Sequence, residues 1–349
     1  MAVDLSKLVS KRKIGLGELN NKVVAIDAFN VLYQFLSIIR QPDGTPLTDS
    51  RGDVTSHLSG LFYRTTELIE NGILPVYVFD GIPSILKQKT IEARMKRREE
   101  QRKAWEEAMA KGELEEARIR AQGSTSVNKQ IINSAKELLR LMGILTINAP
   151  SEGEAQASYM CRNGVAYAVG SQDYDTMLFG APRVVRNLTF SGKRKLPKKN
   201  VYISVEPEMM DFDDTLKSLG INHRQLIWIG LLLGTDFNDG IKGVGPKTAI
   251  KIVKTCNSLE DLVHKVKADY GAEFEVDARE IENIFLHPEV KDIEEREIKE
   301  APRSSVDKDG IVHFMCDVHG FSHERIMKFA DRLIERKGEA KQRGIDSWF

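Results

Sequence analysis

Four short apolar runs, each ending at a polar residue, constrain the fold of this chain more than any other feature. They are KVVAID ending at Asp27, PVYVFD ending at Asp80, GILTIN ending at Asn148 and VAYAVGSQD ending at Asp173. Continuous β-branched and aromatic runs of this kind are typical of strands buried on both faces. Helical patterns separate the runs and lie at residues 30–40, 54–71, 84–142 and 152–163. This alternation predicts an α/β fold with a central, mostly parallel sheet and helices on both faces.

Acidic residues gather where these strands end, at the edge of a parallel sheet where ligands bind. The candidates are Asp27, Asp80, Glu152, Glu154, Asp173, Asp175 and Asp236. Each one singly is explained better by a turn or by the positive end of a helix dipole than by catalysis. So many anions at one edge would repel one another unless cations neutralised them, and hard oxygen ligands select Mg²⁺ or Mn²⁺. The set therefore predicts metal-assisted phosphodiester hydrolysis, for which a pair of such ions is the usual apparatus.

Local patterns place two pairs of these acids. Ser151 is a good N-cap, so Glu152 and Glu154 are predicted in the first turn of the helix that follows it. Asp173 and Asp175 are two residues apart, which puts both carboxylates on one side if the chain is still extended there.

The charge balance limits the classes of DNA-binding protein that the chain can represent. Lysine and arginine number 51, as do aspartate and glutamate, which leaves no net charge. This excludes uniform basic coating of DNA, because domains of that kind are strongly basic. Residues 85–120 are highly charged, with too few apolar positions for a core-facing stripe, and predict helices that project into solvent. Residues 183–199 carry seven basic residues and no acid, which predicts a basic hairpin or loop.

No part of the sequence predicts a membrane segment. The longest apolar stretch, residues 226–233, is far shorter than the roughly 18 residues that a membrane span requires. The opening MAVDLSKLVSKRK has no apolar core of the kind that a signal peptide needs. We therefore expect an intracellular protein.

Further helices are predicted at residues 207–220, opened by Pro207, and at 223–234 and 258–335.

A glycine-punctuated turn precedes the last part of the chain, in GIKGVGPKTAIKIV. Gly243 and Gly245 permit a tight turn, and the amides at the start of the next helix can hold one phosphate beside Lys247. Pro246 stands where a nucleotide-binding P-loop needs glycine, which argues against nucleotide binding. An ordinary helix corner explains the motif equally well, but the nearby Asp236 favours the binding of duplex DNA.

The chain resembles the flap endonucleases, which are structure-specific 5′ nucleases of archaea and eukaryotes. The similarity runs from end to end and is carried by long, ordered blocks. These blocks are VVAIDAFNVLYQFL, TSHLSGLFYRT, ENGILPVYVFDGIPS, APSEGEAQASYM, QDYD, LLLGTDF, GVGPKTA and FMCDVHGFSHERI. By this resemblance the seven acids named above occupy the two-metal positions of the family, and the charged segment forms a helical arch that admits a single-stranded 5′ flap.

The resemblance also implies roles for other residues. Lys87 and Arg94, seven residues apart and so on one helical face, match the basic residues that reach the scissile phosphate. The implied DNA contacts are Tyr33 on the terminal base pair, Arg40, Thr55 and Arg325 on a one-nucleotide 3′ flap, and Gly243, Gly245 and Lys247 on the downstream duplex. A K⁺ ion is often bound at that turn, where Gly240 replaces the serine common in relatives.

The end of the sequence contains a pattern of its own. Gln342, Ile345, Trp348 and Phe349 stand at i, i+3, i+6 and i+7 in an otherwise polar segment. One helical turn would bring the three apolar side chains together, which a docking partner explains better than solvent. The pattern resembles the peptide that sliding clamps of the PCNA type bind.

These features predict five segments. They are an N-terminal part of the nuclease core (1–84), an arch and connecting helix (85–142), the rest of the core with a helix-turn-helix at 234–256 (143–256), a C-terminal helical region (257–335), and a flexible tail with the clamp-binding peptide (336–349).

We accordingly expect an endonuclease that removes 5′ flaps from branched DNA during replication and repair. It would use two Mg²⁺ ions, with Mn²⁺ as a substitute, leave a 5′ phosphate, and act as a 5′ exonuclease on nicked or gapped duplex. It would be a monomer when free, located at DNA in the cytoplasm of an archaeon or the nucleus of a eukaryote. The alternatives are a related exonuclease or bubble-cutting nuclease, an RNA-cutting nuclease of the PIN type, and a non-catalytic branch-binding scaffold tethered to the clamp.

Overall fold

A computed structural model describes residues 3–190, 192–195, 202–300 and 305–346. Its strands are β1 (Lys11–Lys13), β2 (Val23–Asp27), β3 (Leu74–Phe79), β4 (Thr146–Asn148), β5 (Ala168–Gly170), β6 (Arg183–Arg186), β7 (Gly192–Lys195), β8 (Tyr202–Val205) and β9 (Glu208–Asp211). Strands β2, β4 and β5 lie within three of the predicted apolar runs and β3 begins one residue before the remaining run, which confirms those predictions.

Fifteen α-helices are described. They are α1 (Ala28–Ile38), α2 (Ser56–Glu70), α3 (Gln88–Ala110), α4 (Leu114–Gly123), α5 (Lys129–Leu141), α6 (Gly153–Arg162), α7 (Asp175–Leu178), α8 (Phe212–Leu219), α9 (His223–Leu233), α10 (Pro246–Val253), α11 (Leu259–Tyr270), α12 (Ala278–Leu286), α13 (Glu295–Glu300), α14 (Lys308–Val312) and α15 (His323–Asp346). None of the described helices has an apolar stretch long enough to cross a bilayer.

The chain divides into two compact units. The first comprises Met1–Gly15, Asp80–Thr90 and Asn148–Asp292. Its strands lie side by side in the order β1, β9, β6, β5, and β7 pairs with β8 in a separate hairpin. β5 and β6 are parallel, whereas β9 is antiparallel to both β6 and β1. Of this pair only β7 lies in residues 183–199, which were predicted as a basic hairpin or loop, and β6 in the same segment belongs to the larger sheet.

The second unit comprises Leu16–Phe79, Ile91–Ile147 and Ile293–Phe349. Its strands follow the order β2, β3, β4, and β2 is parallel to β3 along its whole length. Helix α2 is central, because it packs against α1, α5 and α15. On α2, Tyr63 lies edge-on to Phe329 of α15, with ring centroids 4.7 Å apart. The parallel pairs β2–β3 and β5–β6, alternating with helices, confirm the predicted α/β class with a mostly parallel sheet.

The charged segment predicted as helical at 84–142 consists of three helices after a 3₁₀ turn at Ile85–Lys87. Helix α3 has polar side chains on all sides and buries only Ala108. Gly112, at φ +75°, turns the chain between α3 and α4. Helix α5 is different, because it buries one face that includes Ile131 and Leu138. The solvent-exposed character predicted from composition for residues 85–120 agrees with α3, and α5 lies outside that range.

Two predictions of local structure are wrong. Residues 208–211 form strand β9 instead of the first turn of a helix opened by Pro207, because they pair with β6 and β1. The helix begins only at Phe212, where the carboxylate of Asp211 accepts a hydrogen bond from the amide of Asp214 at 3.0 Å. Residues 336–346, expected as part of a flexible tail, continue helix α15. Alanine, lysine, glutamate and arginine, which favour helices, make up most of that stretch.

A buried carboxylate joins two helices in the first unit. The Glu282 side chain on α12 is 4 % exposed and accepts hydrogen bonds from the Arg224 guanidinium of α9 at 2.7 and 3.1 Å. The same carboxylate accepts from the indole Nε1 of Trp228, one turn further along α9, at 2.6 Å. The carboxylate is thus fully engaged, and it in turn satisfies an indole N–H that is buried away from water.

Replacement of Glu282 by alanine should destabilise the protein by roughly 1–3 kcal/mol, because the buried Trp228 Nε1 then lacks an acceptor. Glu282→Gln should lose less, since an amide oxygen can still accept from the indole. Urea denaturation of both variants measures the effect.

Glu280→Ala on the same helix is the matched control, because Glu280 is exposed and surface substitutions usually change stability by less than about 0.5 kcal/mol. Equal stability of Glu282→Ala and this control would contradict the structural role assigned to Glu282.

Candidate active site

The centre of the site is the Lys87 ammonium, which lies between two carboxylates. Lys87 ends the 3₁₀ turn before α3, and its Nζ pairs with Glu152 and, at 3.3 Å, with Asp236. All three side chains are at most 15 % exposed. Burial alone would lower the pKa of Lys87, but the attraction of Glu152, Asp236 and Glu154 outweighs it and raises the pKa above its usual value. Lys87 is therefore a permanent cation within an acidic pocket.

Asp80 follows β3 and faces the start of helix α6. Its Oδ1 accepts a hydrogen bond from the Gly153 amide at 2.7 Å. Burial and the nearby charge of Glu152 raise the pKa of Asp80 to about 6, although the Gly153 bond opposes the shift. Glu152, not Ser151, is the N-cap of α6, so the predicted position of that helix start was wrong by one residue. Glu154 lies in the first turn, as predicted.

Asp175 opens helix α7, and its pKa is raised further than that of Asp80. Its Oδ1 accepts from the backbone amide of Val3 at 3.0 Å. Burial, followed by repulsion from Asp236 and Asp173, raises the pKa of Asp175 to about 7. The Asp173–Asp175 stretch is not extended, because Tyr174 has helical dihedrals. The two carboxylates still interact through their charges.

A short hydrogen-bonded loop presents Asp236. Gly234 caps the C-terminal end of helix α9, and its φ of +94° favours glycine. Thr235 then hydrogen-bonds Asn238 twice, through its amide at 3.1 Å and its hydroxyl at 2.8 Å. The Asn238 side chain also donates to the carbonyl of Leu231 at 2.8 Å. These bonds fix the buried carboxylate of Asp236 next to Lys87.

The donor set fits a site for divalent cations. Asp80, Glu152, Glu154, Asp173, Asp175 and Asp236 all belong to the first unit, and they offer only carboxylate oxygens, which Mg²⁺ and Mn²⁺ prefer. Burial, and after it the charges of neighbouring carboxylates, raise the pKa values of Asp80 and Asp175, and negative charges gathered in this way attract cations. Among the described residues no three acidic, histidine or cysteine side chains are already gathered around one point. The Lys87 ammonium lies between two of the acids instead.

Asp27, the seventh predicted acid, belongs to the second unit. It is buried and caps helix α1 by accepting from the Asn30 amide at 3.0 Å. Its participation in a metal site stays a prediction. Arg94 lies in α3 and is partly exposed. Tyr33 of α1 is also partly exposed. The Arg98 guanidinium lies over its ring, 4.9 Å from the ring centroid.

The residues predicted at a 3′ flap lie in the second unit in three different environments. The Arg40 guanidinium donates to the carbonyls of Leu36 and Gly44 and to the Thr125 hydroxyl, each at 2.7 Å. Burial lowers its pKa. Thr55 is buried at the N-cap of α2, whereas Arg325 is exposed near the start of α15. The contacts of Arg40 favour a structural role, and DNA binding by all three stays a prediction.

The glycine turn has the geometry expected of a helix start that is open to a ligand. Gly243 has φ +87°, and Gly245 is the N-cap of α10 with Pro246 in its first turn. A Cβ atom built on Gly243 or Gly245 would meet no atom within 4 Å, so another molecule can approach the backbone. Lys247 is exposed beside these amides.

Sequence reasoning missed the residues that hold the Asp173–Asp175 segment. Lys11 Nζ donates to the Tyr174 hydroxyl at 2.6 Å, and Arg186 donates to the same oxygen. The two cations also face the Tyr174 ring, at 5.2 and 4.5 Å. A tyrosine between two acids in QDYD is a signal that could have been noticed, whereas the Val3 amide carries no side-chain signal at all. Of the tail residues, Gln342 and Ile345 lie in α15, and Trp348 and Phe349 lie outside the described residues.

The raised pKa of Asp175 predicts a pH-dependent cost in the protein without metal ions. Its carboxyl titrates near 3.8 in an unfolded chain and near 7 in the folded one. Between those values the folded state retains a proton that the unfolded chain releases, so stability falls as the pH rises from about 4 to about 7. In EDTA, Asp175→Asn should therefore melt a few degrees above the unsubstituted protein at about pH 8, with the difference vanishing near about pH 4.

Asp269→Asn serves as the control, because Asp269 is exposed on α11 and its replacement should hardly change the melting temperature at either pH. A melting temperature of Asp175→Asn that is no higher than that of the control at the higher pH would disprove the electrostatic cost.

This chain is similar to two family models and to known proteins along its length. Residues 1–101 match the XPG N-terminal domain and residues 143–236 match the XPG I-region. Two similar proteins are flap endonuclease 1 of Pyrococcus abyssi, 49 % identical over all of this chain and 98 % of that protein, and flap endonuclease 1 of Thermococcus onnurineus, 50 % identical over 100 % and 99 %.

Solved structures give the same result. The flap endonuclease-1 from Methanococcus jannaschii is 38 % identical and superimposes with a TM-score of 0.72 over 97 % of this chain and 99 % of that one. The catalytic core of Rad2 in complex with DNA substrate, 24 % identical with a TM-score of 0.67 over 96 % of this chain and all of that one, shares the fold. Because about half of its residues are identical to the flap endonucleases 1 of Pyrococcus abyssi and Thermococcus onnurineus along its entire length, the chain belongs to the flap endonuclease 1 family.

Proposed function

We propose that the protein is a structure-specific DNA endonuclease that removes 5′ flaps from branched DNA in replication and repair, leaving a 5′ phosphate. The observation that carries the proposal is the buried acidic pocket with Lys87 at its centre. Family membership supports the reaction, a hydrolysis of DNA phosphodiester bonds. We include 5′ exonuclease activity on nicked or gapped duplex, because a duplex end brings the same bond to the same pocket.

Two Mg²⁺ ions, with Mn²⁺ as a substitute, are the cofactors that we propose for the seven acids. Divalent ions held by such carboxylates supply an activated water nucleophile and stabilise charge on the leaving oxygen. Lys87 holds Glu152 and Asp236. The Gly153 amide holds Asp80, and the Val3 amide holds Asp175. Such preorganisation lets the acids bind cations without a large rearrangement.

We propose that Lys87 contacts the scissile phosphate itself. Its raised pKa keeps the ammonium charged throughout the physiological range, so it can donate to a phosphate oxygen and offset the charge that develops during hydrolysis. The Phe237 ring, 5.4 Å from the same ammonium, limits the access of water on that side. Arg94, further along α3, is proposed to contribute in the same way.

Specificity is proposed to come from DNA shape rather than base sequence, because phosphate contacts carry no sequence information directly. The turn at Gly243 to Lys247 would hold the downstream duplex through backbone amides and one lysine, with K⁺ as a further ligand there. Tyr33, Arg40, Thr55 and Arg325 are proposed to contact the rest of the junction. Apart from the flexibility expected of residues 336–346, the five segments predicted from the sequence remain the proposed organisation, with α3 and α4 as the arch.

Loss of one acidic ligand should abolish cutting without abolishing DNA binding. Asp175→Asn should reduce Mg²⁺-dependent cleavage of a labelled 5′ flap by at least about 100-fold, since even groups that merely orient metal ligands contribute about 10- to 100-fold. Binding of the flap in Ca²⁺ should stay measurable, and EDTA should stop cleavage by the unsubstituted protein.

Asp269→Asn is the control and should cut normally. Flap, bubble, nicked and single-stranded substrates tested side by side distinguish the related nucleases, and a preference for single strands over flaps would argue against the proposed function. Cleavage retained by Asp175→Asn would remove that residue from the catalytic set.

The tail is proposed to bind a PCNA-type sliding clamp through Gln342, Ile345, Trp348 and Phe349, with the protein a monomer when free. Replacing both Trp348 and Phe349 by alanine should weaken clamp binding by roughly 30-fold or more, because buried aromatic anchors dominate such interfaces. Flap cutting without the clamp should be unchanged. Calorimetric titration with a clamp measures the effect, Glu339→Ala is the control, and equal affinities would contradict the assignment.

A further inference from the structure

Two isoleucines stand exposed on the segment that links Asp80 to Lys87. Ile82 is 82 % exposed and Ile85 is 85 % exposed, while no other exposed large apolar side chain in the described parts of the chain exceeds 61 %. They are three residues apart, and the segment that carries them begins and ends at residues of the acidic pocket. Exposure of two isoleucine side chains to water is unfavourable.

The backbone under the two isoleucines is fixed. The amides of Gly81 and Ile82 donate to the carbonyls of Ser151 and Pro150, at 2.7 and 3.1 Å. A Cβ atom on Gly81 would lie only 2.2 Å from the carbonyl oxygen of Ala149, so the two stretches of backbone are in close contact. The isoleucines cannot be buried by a simple movement of this segment, because its hydrogen bonds would be lost.

The second half of the segment is held equally well. Ser84 caps the 3₁₀ turn, since its hydroxyl accepts from the Leu86 amide at 3.3 Å and its carbonyl accepts from the Lys87 amide at 2.9 Å. This turn aims Lys87 at Glu152 and Asp236. Ile85 therefore lies in the same turn that positions Lys87, the lysine proposed to bind phosphate.

We propose that Ile82 and Ile85 form an apolar subsite for the nucleobase next to the scissile phosphodiester, unstacked from the duplex. The inference rests on the proposed function and adds a substrate contact to it. A nucleotide whose phosphate is bound at Lys87 would lie beside the segment that ends at this lysine, and that segment carries both isoleucines. Every base has an apolar face, so contact with aliphatic side chains holds it without regard to sequence. The subsite thus favours DNA whose base has left the stack before the bond is cut.

A nucleobase fits this subsite better than a partner protein does. Stable protein interfaces bury about 800 Å² on each side, far more than two side chains provide. Asp80 and Lys87 also flank the isoleucines on both sides, so a protein seated there would cover the acidic pocket.

The test compares Ile82→Ser, Ile85→Ser and the double variant on a 5′ flap in single-turnover reactions. Each replacement should lower cleavage about tenfold, the amount expected for losing most of the transfer of one isoleucine out of water. Ile334→Ser is the matched control, because Ile334 is an isoleucine exposed by 39 % on α15. Thermal melting of all four verifies that these surface changes leave the fold intact.

A second substrate, with abasic sites on both sides of the scissile phosphate, isolates the base contact. The unsubstituted protein should lose about as much on this substrate as the double variant loses on the intact flap, and the double variant should lose little more. In Ca²⁺, without cleavage, a 2-aminopurine base beside the scissile phosphate should brighten on binding to the unsubstituted protein and less so on binding to the double variant.

Normal cleavage and normal 2-aminopurine brightening by the double variant would overturn the subsite while leaving the proposed function intact. Additive losses from the double variant and the abasic substrate would overturn it as well, because independent effects share no contact. Failure of the unsubstituted protein to cut any flap would instead refute the proposed function itself.

Discussion

Repulsion among buried carboxylates is the constraint on which the rest of the first unit depends. Asp80, Glu152, Asp175 and Asp236 are all removed from water to a large extent, and each one makes it harder to ionise another. Burial, followed by the charge of a neighbouring carboxylate, raises the pKa of Asp80 and that of Asp175. Lys87 relieves the repulsion for Glu152 and Asp236, and backbone amides relieve it for the other two. The pocket is stable because each acid has at least one opposing partner.

Those partners come from sequence positions that are far apart, which is why the surrounding loops must be rigid. The Val3 amide reaches Asp175 from 172 residues away. The Gly153 amide lies close to Asp80 because the Gly81 and Ile82 amides, directly after Asp80, donate to the carbonyls of Ser151 and Pro150, just before α6. Without these two long-range bonds the pKa values of Asp80 and Asp175 would be raised further, because burial and the neighbouring carboxylates raise them while the bonds to Gly153 and Val3 lower them.

The same distinction between local and distant interactions separates what the sequence could predict from what it could not. The four apolar runs predicted their strands, since buried parallel strands need continuous apolar residues whatever their neighbours are. The acids at the strand ends were found for the same local reason. Residues 208–211 were placed in a helix because Pro207 is a good local start signal, and only their pairing with β6 and β1 makes them a strand. Arg40 was assigned to DNA, and its three internal acceptors became visible only in the fold.

The neutral net charge of the chain acquires a physical meaning from this site. A sum of zero is compatible with DNA binding because some of the acidic residues are sequestered in one pocket, where bound cations would offset part of their charge. The cost of gathering them is borne by the fold, and any cation that binds only the folded state returns stability in proportion to the logarithm of its concentration over its dissociation constant. Removing one of the acids would make the metal-free fold more stable and the pocket less able to bind cations. The acids that weaken the fold in the absence of metal are thus the same ones that the proposed reaction requires, which is the usual relation between stability and function at an active site.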